Sequence, residues 1–173
     1  MTSLTHAALA VAVGSAVLPR RCAPSWLVLG ACCAVLPDLD LLAPVFGGSR
    51  EFHRTFTHSV VFAILMGTVG AAGSWMMGYW WRALGLGLWI VVTTASHAIA
   101  DMLTSYPVGV ALWSPFSPRR YHLAGQPIET VTQEFLWVGL PCLVLLVLVL
   151  HRRRRAEPTQ LPSTGSRFGD YLR

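Results

Sequence analysis

The chain alternates long apolar runs with short polar breaks, and five runs stand out. They cover roughly Leu4 to Leu18, Trp26 to Leu36 with a continuation through Pro37 to Leu42, Ser59 to Met77, Ala83 to Leu103, and Thr130 to Leu150. The third, fourth and fifth approach the roughly 20 residues that cross a bilayer as a helix. The first two are shorter, which fits tilted or partly interfacial helices. Helix is the class these runs require, because isolated strands leave their backbone polar groups unsatisfied in lipid. The breaks are Pro19-Arg20-Arg21, Gly47-Gly48-Ser49, Trp80-Trp81-Arg82, and a proline- and aromatic-rich loop over residues 105–128. Trp80 and Trp81 read as an interfacial aromatic anchor.

Composition agrees with the pattern. The 173 residues are 54% hydrophobic and 12% charged, about half the charge of an ordinary soluble domain. The expectation is an all-α integral membrane bundle of about five spans (four to five). Residues 1–150 would form one embedded domain, and residues 151–173 a basic, disordered cytoplasmic tail. The amino terminus lacks a basic segment ahead of its apolar run, so it reads as a retained first span rather than a secretory signal. The cysteines Cys22, Cys32, Cys33 and Cys142 show neither a zinc spacing nor a disulfide framework.

The net charge of +5 comes from arginine without lysine, set in short blocks between apolar runs. That distribution argues against a nucleic-acid partner and for membrane topology. Arg152 to Arg155 abut the fifth run, which places that end in the cytoplasm. With five spans, Arg20, Arg21, Arg82, Arg167 and Arg173 are also inside. Arg50, Arg54, Arg119 and Arg120 are outside.

The same alternation sorts the ionisable residues. His6 opens the first run, and Asp38 and Asp40 end the second. His53 and His58 flank the start of the third, His97 and Asp101 close the fourth, and Glu129 opens the fifth. All eight fall at the external ends of their segments. His97 and Asp101, four apart, share one helix face. An unpaired aspartate within such a span costs on the order of 2.5–3.5 kcal/mol, and a metal ion satisfies both residues together. Imidazole with carboxylate and no thiolate suits zinc, manganese, iron or magnesium. Eight donors exceed the four that one zinc takes, so two ions, or one ion plus a general base, fit the count.

The metal candidates are therefore His6, Asp38, Asp40, His53, His58, His97, Asp101 and Glu129. Asp40 and Glu129 are also candidates for the proton transfer. Arg54 and Arg120 are candidates for holding an anionic substrate through their guanidinium forks, and Arg54 for assisting the catalytic step. Glu51, His122 and Glu134 are weaker candidates. Ser59 and Thr57 are natural caps for the third helix.

Thr5-His6, Pro37-Asp38-Leu39-Asp40, His53-Arg54-x-x-Thr57-His58-Ser59, Ser96-His97-x-x-x-Asp101-x-x-Thr104 and Gly125-Gln-Pro-Ile-Glu129 occur in this order. In these motifs, over about residues 1 to 140, the chain resembles the YdjM family of inner-membrane metal-dependent hydrolases, also described as LexA-binding. The small residue usual after His-Arg in that family is Thr55 here. The order of ligand types is also distantly similar to that of helical zinc-dependent phospholipases C and related single-strand nucleases. That likeness implies metal-ligand roles for His6, Asp38, His53, His97, Asp101 and Glu129.

The resemblance implies a bacterial inner-membrane protein and a hydrolase. The position in the membrane favours a phosphoester on a lipid or lipid-linked substrate at the outer face. Two other readings stand beside it. One is a metal or proton carrier using His97 and Asp101. The other is a non-catalytic regulatory protein that meets a cytoplasmic partner through the arginine-rich tail.

Overall fold

A computed structural model describes residues 1–19, 24–46, 53–123, 125 and 128–155. The expected roles of Arg20, Arg21, Cys22, Arg50, Glu51 and the tail residues 156–173 lie outside the described residues. The described chain is all helical in its regular structure: α1 (Ser3–Val17), α2 (Pro24–Val35), α3 (Val60–Met76), α4 (Trp80–Asp101) and α5 (Val131–Arg155). Pro24–Leu42, α4 and α5 are long and apolar enough to cross a membrane, and α1 and α3 are shorter apolar helices. Together they make a five-helix bundle.

Several boundaries differ from the apolar runs for local reasons. The α-helical part of the second run stops at Val35, and the chain continues as a 3₁₀ helix, Leu36–Phe46. Pro37 and Pro44 lack the N–H that an α-helix interior needs. The tighter winding brings Asp38 and Asp40 to the end of the rod. Trp80 and Trp81 form the first turn of α4 instead of a linker. Gly78, at φ +83°, reverses the chain within three residues, a conformation that favours glycine. In α5, Pro141 offers no N–H, and the preceding Phe135–Gly139 segment opens into a π turn with Leu140 N–H bonded to the Phe135 carbonyl. The helix then runs on through Arg155, so the first residues of the basic segment are helical.

Packing uses small residues and one large ring. α3 lies along α4, and a Cβ at Gly67 would come within 2.7 Å of the Gly87 carbonyl oxygen. Only glycine lets the two backbones approach this closely. The Trp89 indole of α4 fills the space left by Gly14 of α1 and Gly30 of α2, and its Nε1 donates to the Trp26 carbonyl at 2.8 Å. α5 is tied to α1 at both ends. Thr2 donates to Glu134 through its backbone N–H at 2.8 Å and its hydroxyl at 2.6 Å. At the other end Arg153 Nη2 donates to the Ser15 carbonyl at 2.6 Å.

Residues 102–123 fold back across one end of the bundle. Val60 N–H bonds the Leu112 carbonyl, Ala111 N–H bonds the Arg54 carbonyl, and Val110 exchanges bonds with Tyr121. Val110 and Ala111 are buried beneath this loop with Ala98 and Met102.

Candidate metal centre

The covered end of the bundle holds the ionisable residues. Seven of the eight metal candidates lie in three overlapping groups whose donor atoms sit within 4.8 Å of one another: His6, His97 and Asp101; Asp38, His58 and His97; Asp40, His53 and His58. They come from α1, the 3₁₀ segment, the turn before α3, and α4. His6, His58, His97 and Asp101 are almost completely buried.

At the middle of the cluster, Asp38 and Asp101 each approach the paired Nε2 atoms of His58 and His97. His58 Nε2 and His97 Nε2 are 3.0 Å apart. Asp38 Oδ1 lies 3.3 Å from His97 Nε2 and 3.8 Å from His58 Nε2. Asp101 Oδ2 lies 3.7 Å from His58 Nε2 and 3.8 Å from His97 Nε2. A tetrahedral zinc site with bonds of about 2.0–2.1 Å has donor–donor edges of about 3.4 Å. The observed separations bracket that value.

The surrounding hydrogen bonds decide which ring nitrogens carry protons. His97 Nδ1 is 2.6 Å from the Ala34 carbonyl, which only accepts, so Nδ1 donates and a neutral ring leaves a lone pair on Nε2. The Thr57 hydroxyl donates to Asp40 Oδ2 at 2.6 Å and therefore accepts from His58 Nδ1 at 3.0 Å. His58 Nε2 then also carries a lone pair. With both rings neutral, two imidazole lone pairs and two carboxylate oxygens approach one another. A cation resolves the repulsion. Without one a proton must do so: burial alone would lower the His58 pKa, but hydrogen bonds with Asp38 and Asp40 outweigh it and hold that pKa above the ordinary histidine value.

Each donor has a second partner that fixes it, as metal ligands require. Ser3 donates to Asp38 Oδ2 at 2.6 Å. Ala34 holds His97, and Thr57 holds His58 with Asp40 Oδ2 3.5 Å from the same Nδ1. Arg54 Nη2 lies 3.1 Å from Asp101 Oδ2. His6 Nε2 is 3.3 Å from Asp101 Oδ1, its ring stacks on His97 at 3.7 Å, and both of its buried nitrogens lack a hydrogen-bond partner. The Met1 amino group also lies against Asp101 Oδ1. Orphaned imidazole nitrogens are costly in a buried site, so the donors present fit one divalent ion and leave unused ligand capacity at His6.

Asp40 sits one layer out. Its Oδ1 is 2.7 Å from His53 Nδ1, and Oδ2 takes the Thr57 hydrogen bond. His53 and Arg54 open onto a cleft of about 470 Å³, also lined by Thr104, Tyr106, Glu129 and Glu134. Arg54 is buried, with its guanidinium 4.4 Å over the Tyr106 ring and Nη1 3.2 Å from Thr104 Oγ1. Its backbone is left-handed at φ +62°, which costs about 1–2 kcal/mol for a residue with a Cβ. The Asp101 ion pair and the Ala111 hydrogen bond hold it there. Glu129 is exposed on the cleft wall and lies outside the three donor groups. Arg120 lies on the loop, with Nη1 donating to the Gly109 carbonyl at 3.3 Å, and is not part of the cleft lining. His122 is exposed.

Glu134 is buried at the cleft, where sequence reasoning gave it little weight. A carboxylate inside an otherwise apolar span was the signal. Thr57, Ser3 and Tyr106 carried no such mark. Ser59 caps α3, accepting from Phe62 N–H at 3.0 Å, and does not enter the cluster.

The family model described as "YdjM inner membrane protein" matches residues 1–161. The "Inner membrane protein YbcI" of Escherichia coli (strain K12) is 30% identical over 174 residues, covering 88% of this chain and 99% of that protein. No solved structure matches. The family match extends over the whole described bundle and the relative, matched over nearly its full length, agrees with it, so the chain belongs to the YdjM family of inner membrane proteins.

Proposed function

We propose that this membrane protein is a metal-dependent hydrolase acting on a phosphoester, carried by a lipid or lipid-linked substrate at the outer face. One observation carries the reading: the convergence of His58 Nε2, His97 Nε2, Asp38 Oδ1 and Asp101 Oδ2 beside an open cleft. These four residues would hold a divalent ion, zinc first, with manganese, iron or magnesium as alternatives. The ion supplies Lewis-acid activation of water and of a phosphoryl oxygen. His6 with Asp101 Oδ1 begins the shell of a second ion.

The remaining groups divide the other work. Asp40 orients His58 and, paired with His53 on the cleft, is positioned to take a proton from the attacking water. Glu129, also on the cleft lining, is a second acceptor. Arg54 brings a buried positive charge to the cleft, where it favours a phosphate oxyanion. Arg120 would meet a substrate at the loop surface.

The outward orientation rests on arginine bias. Arg82 and Arg152 to Arg155 lie at the end opposite the cluster, whereas Arg54, Arg119 and Arg120 lie at the same end as it. Among the described residues no buried histidine or carboxylate lies on α4 between His97 and the arginine-bearing end, where His151 is exposed. The buried polar groups below it on α4 are Thr93 and Thr94, which disfavours a carrier.

The test is turnover. Detergent-purified, zinc-loaded protein should release product from a phosphodiester or a phospholipid. Chelation should stop release and zinc should restore it. A protein shown to hold zinc that turns over none of a broad phosphoester panel sinks the hydrolase reading.

A further inference from the structure

The loop after α4 has two faces. Its inner side chains, Val110 and Ala111, are buried on the bundle, while Tyr106, Val108, Trp113, Phe116 and Leu123 point outward. Phe116 is 83% exposed and Trp113 50%. A loop in water gains nothing by presenting five large apolar side chains together.

The position of the loop in the bilayer identifies what covers them. α4 has 22 residues, about 33 Å at 1.5 Å per residue, against about 30 Å of hydrocarbon. Exposed Trp80 and Trp81 at its start mark one interface. The chain past Asp101 therefore emerges at the other. The loop backbone is not helical, so it cannot lie against acyl chains. The layer left to it is that of the head groups, where aromatic rings concentrate. Arg119 and Arg120 on the same loop suit lipid phosphates.

We propose that residues 105–123 form a membrane-binding surface whose outward aromatic and aliphatic side chains insert among phospholipid head groups of the leaflet on the cluster side. Tyr106 and Pro107 belong both to this loop and to the cleft lining. The insertion therefore sets the mouth of the cleft at the depth of lipid phosphates. The proposal depends on membrane embedding and not on metal binding or hydrolysis.

The native protein tests it, without substitutions. It is reconstituted in phosphatidylethanolamine–phosphatidylglycerol vesicles containing a phospholipid with a photoactivatable head group. After irradiation, labelled peptides are mapped by mass spectrometry. Labelling on residues 105–123, matching that on the Trp80–Trp81 segment at the opposite interface, is the expected result. Labelling at Trp80–Trp81 with none on 105–123 overturns the proposal.

Discussion

A His97→Ala/Asp101→Ala double variant is expected to keep less than about a tenth of the zinc held by the native protein, because it loses two of four ligands on one helix turn. The two side chains serve the cluster together. His97 Nε2 and Asp101 Oδ2 face the same point, and Asp101 also presents Oδ1 to His6. Of the four central donors only His58 and Asp38 remain, a pair that cannot enclose an ion. The double substitution also strands Arg54, whose guanidinium loses the carboxylate it pairs with, so some loss of stability accompanies the loss of metal. Zinc retained after dialysis, with helix content followed by circular dichroism, separates the two effects. A helical double variant with native zinc content means the ion sits elsewhere.

An Asp40→Asn variant is expected to bind zinc about 10–100-fold more weakly, the cost typical of losing a group that orients a ligand. Asp40 Oδ2 takes the Thr57 hydrogen bond, which makes the Thr57 oxygen an acceptor for His58 Nδ1–H. An amide nitrogen at that place would turn the hydroxyl around and favour the wrong His58 tautomer. Competition titration against a chelating dye reads the affinity, and turnover at saturating zinc reads the chemistry. Weaker affinity with turnover preserved at saturation identifies an orienting role alone. Lost turnover at saturating zinc adds the role of base. Unchanged affinity contradicts the orienting role.

Much of the candidate site was legible because membrane topology makes placement informative. An ionisable side chain in an apolar run must be paired, and alternation of spans sends every second boundary to the same end. His6, Asp38, Asp40, His53, His58, His97 and Asp101 were all reachable that way, and they do lie together. The roles within the cluster were not legible. Asp38 and Asp40 are two apart in the same Pro-Asp-Leu-Asp element, and only the 3₁₀ winding distinguishes the one that faces His97 from the one that faces His53. The tautomers depend on the Ala34 carbonyl and the Thr57 hydroxyl, and residue type announces neither.

The fold shows the same division. The apolar runs located all five helices. Their ends were displaced where proline removed a backbone donor, as at Pro37, or where glycine allowed a sharp reversal, as at Gly78. The two-faced character of residues 105–123 was hidden because its buried residues follow no helical or strand period. Val110 is buried against Ala98 and Met102, and long-range backbone bonds tie the segment to Arg54 and Val60.

X-ray absorption at the metal edge of the native protein, purified with its metal, tests the central claim most directly. The account predicts a stoichiometric first-row ion, zinc foremost, in a shell of imidazole nitrogens and carboxylate oxygens at about 2.0–2.1 Å, without sulfur. A protein that holds no stoichiometric ion even after reconstitution, or one whose ion carries a thiolate ligand, would contradict it.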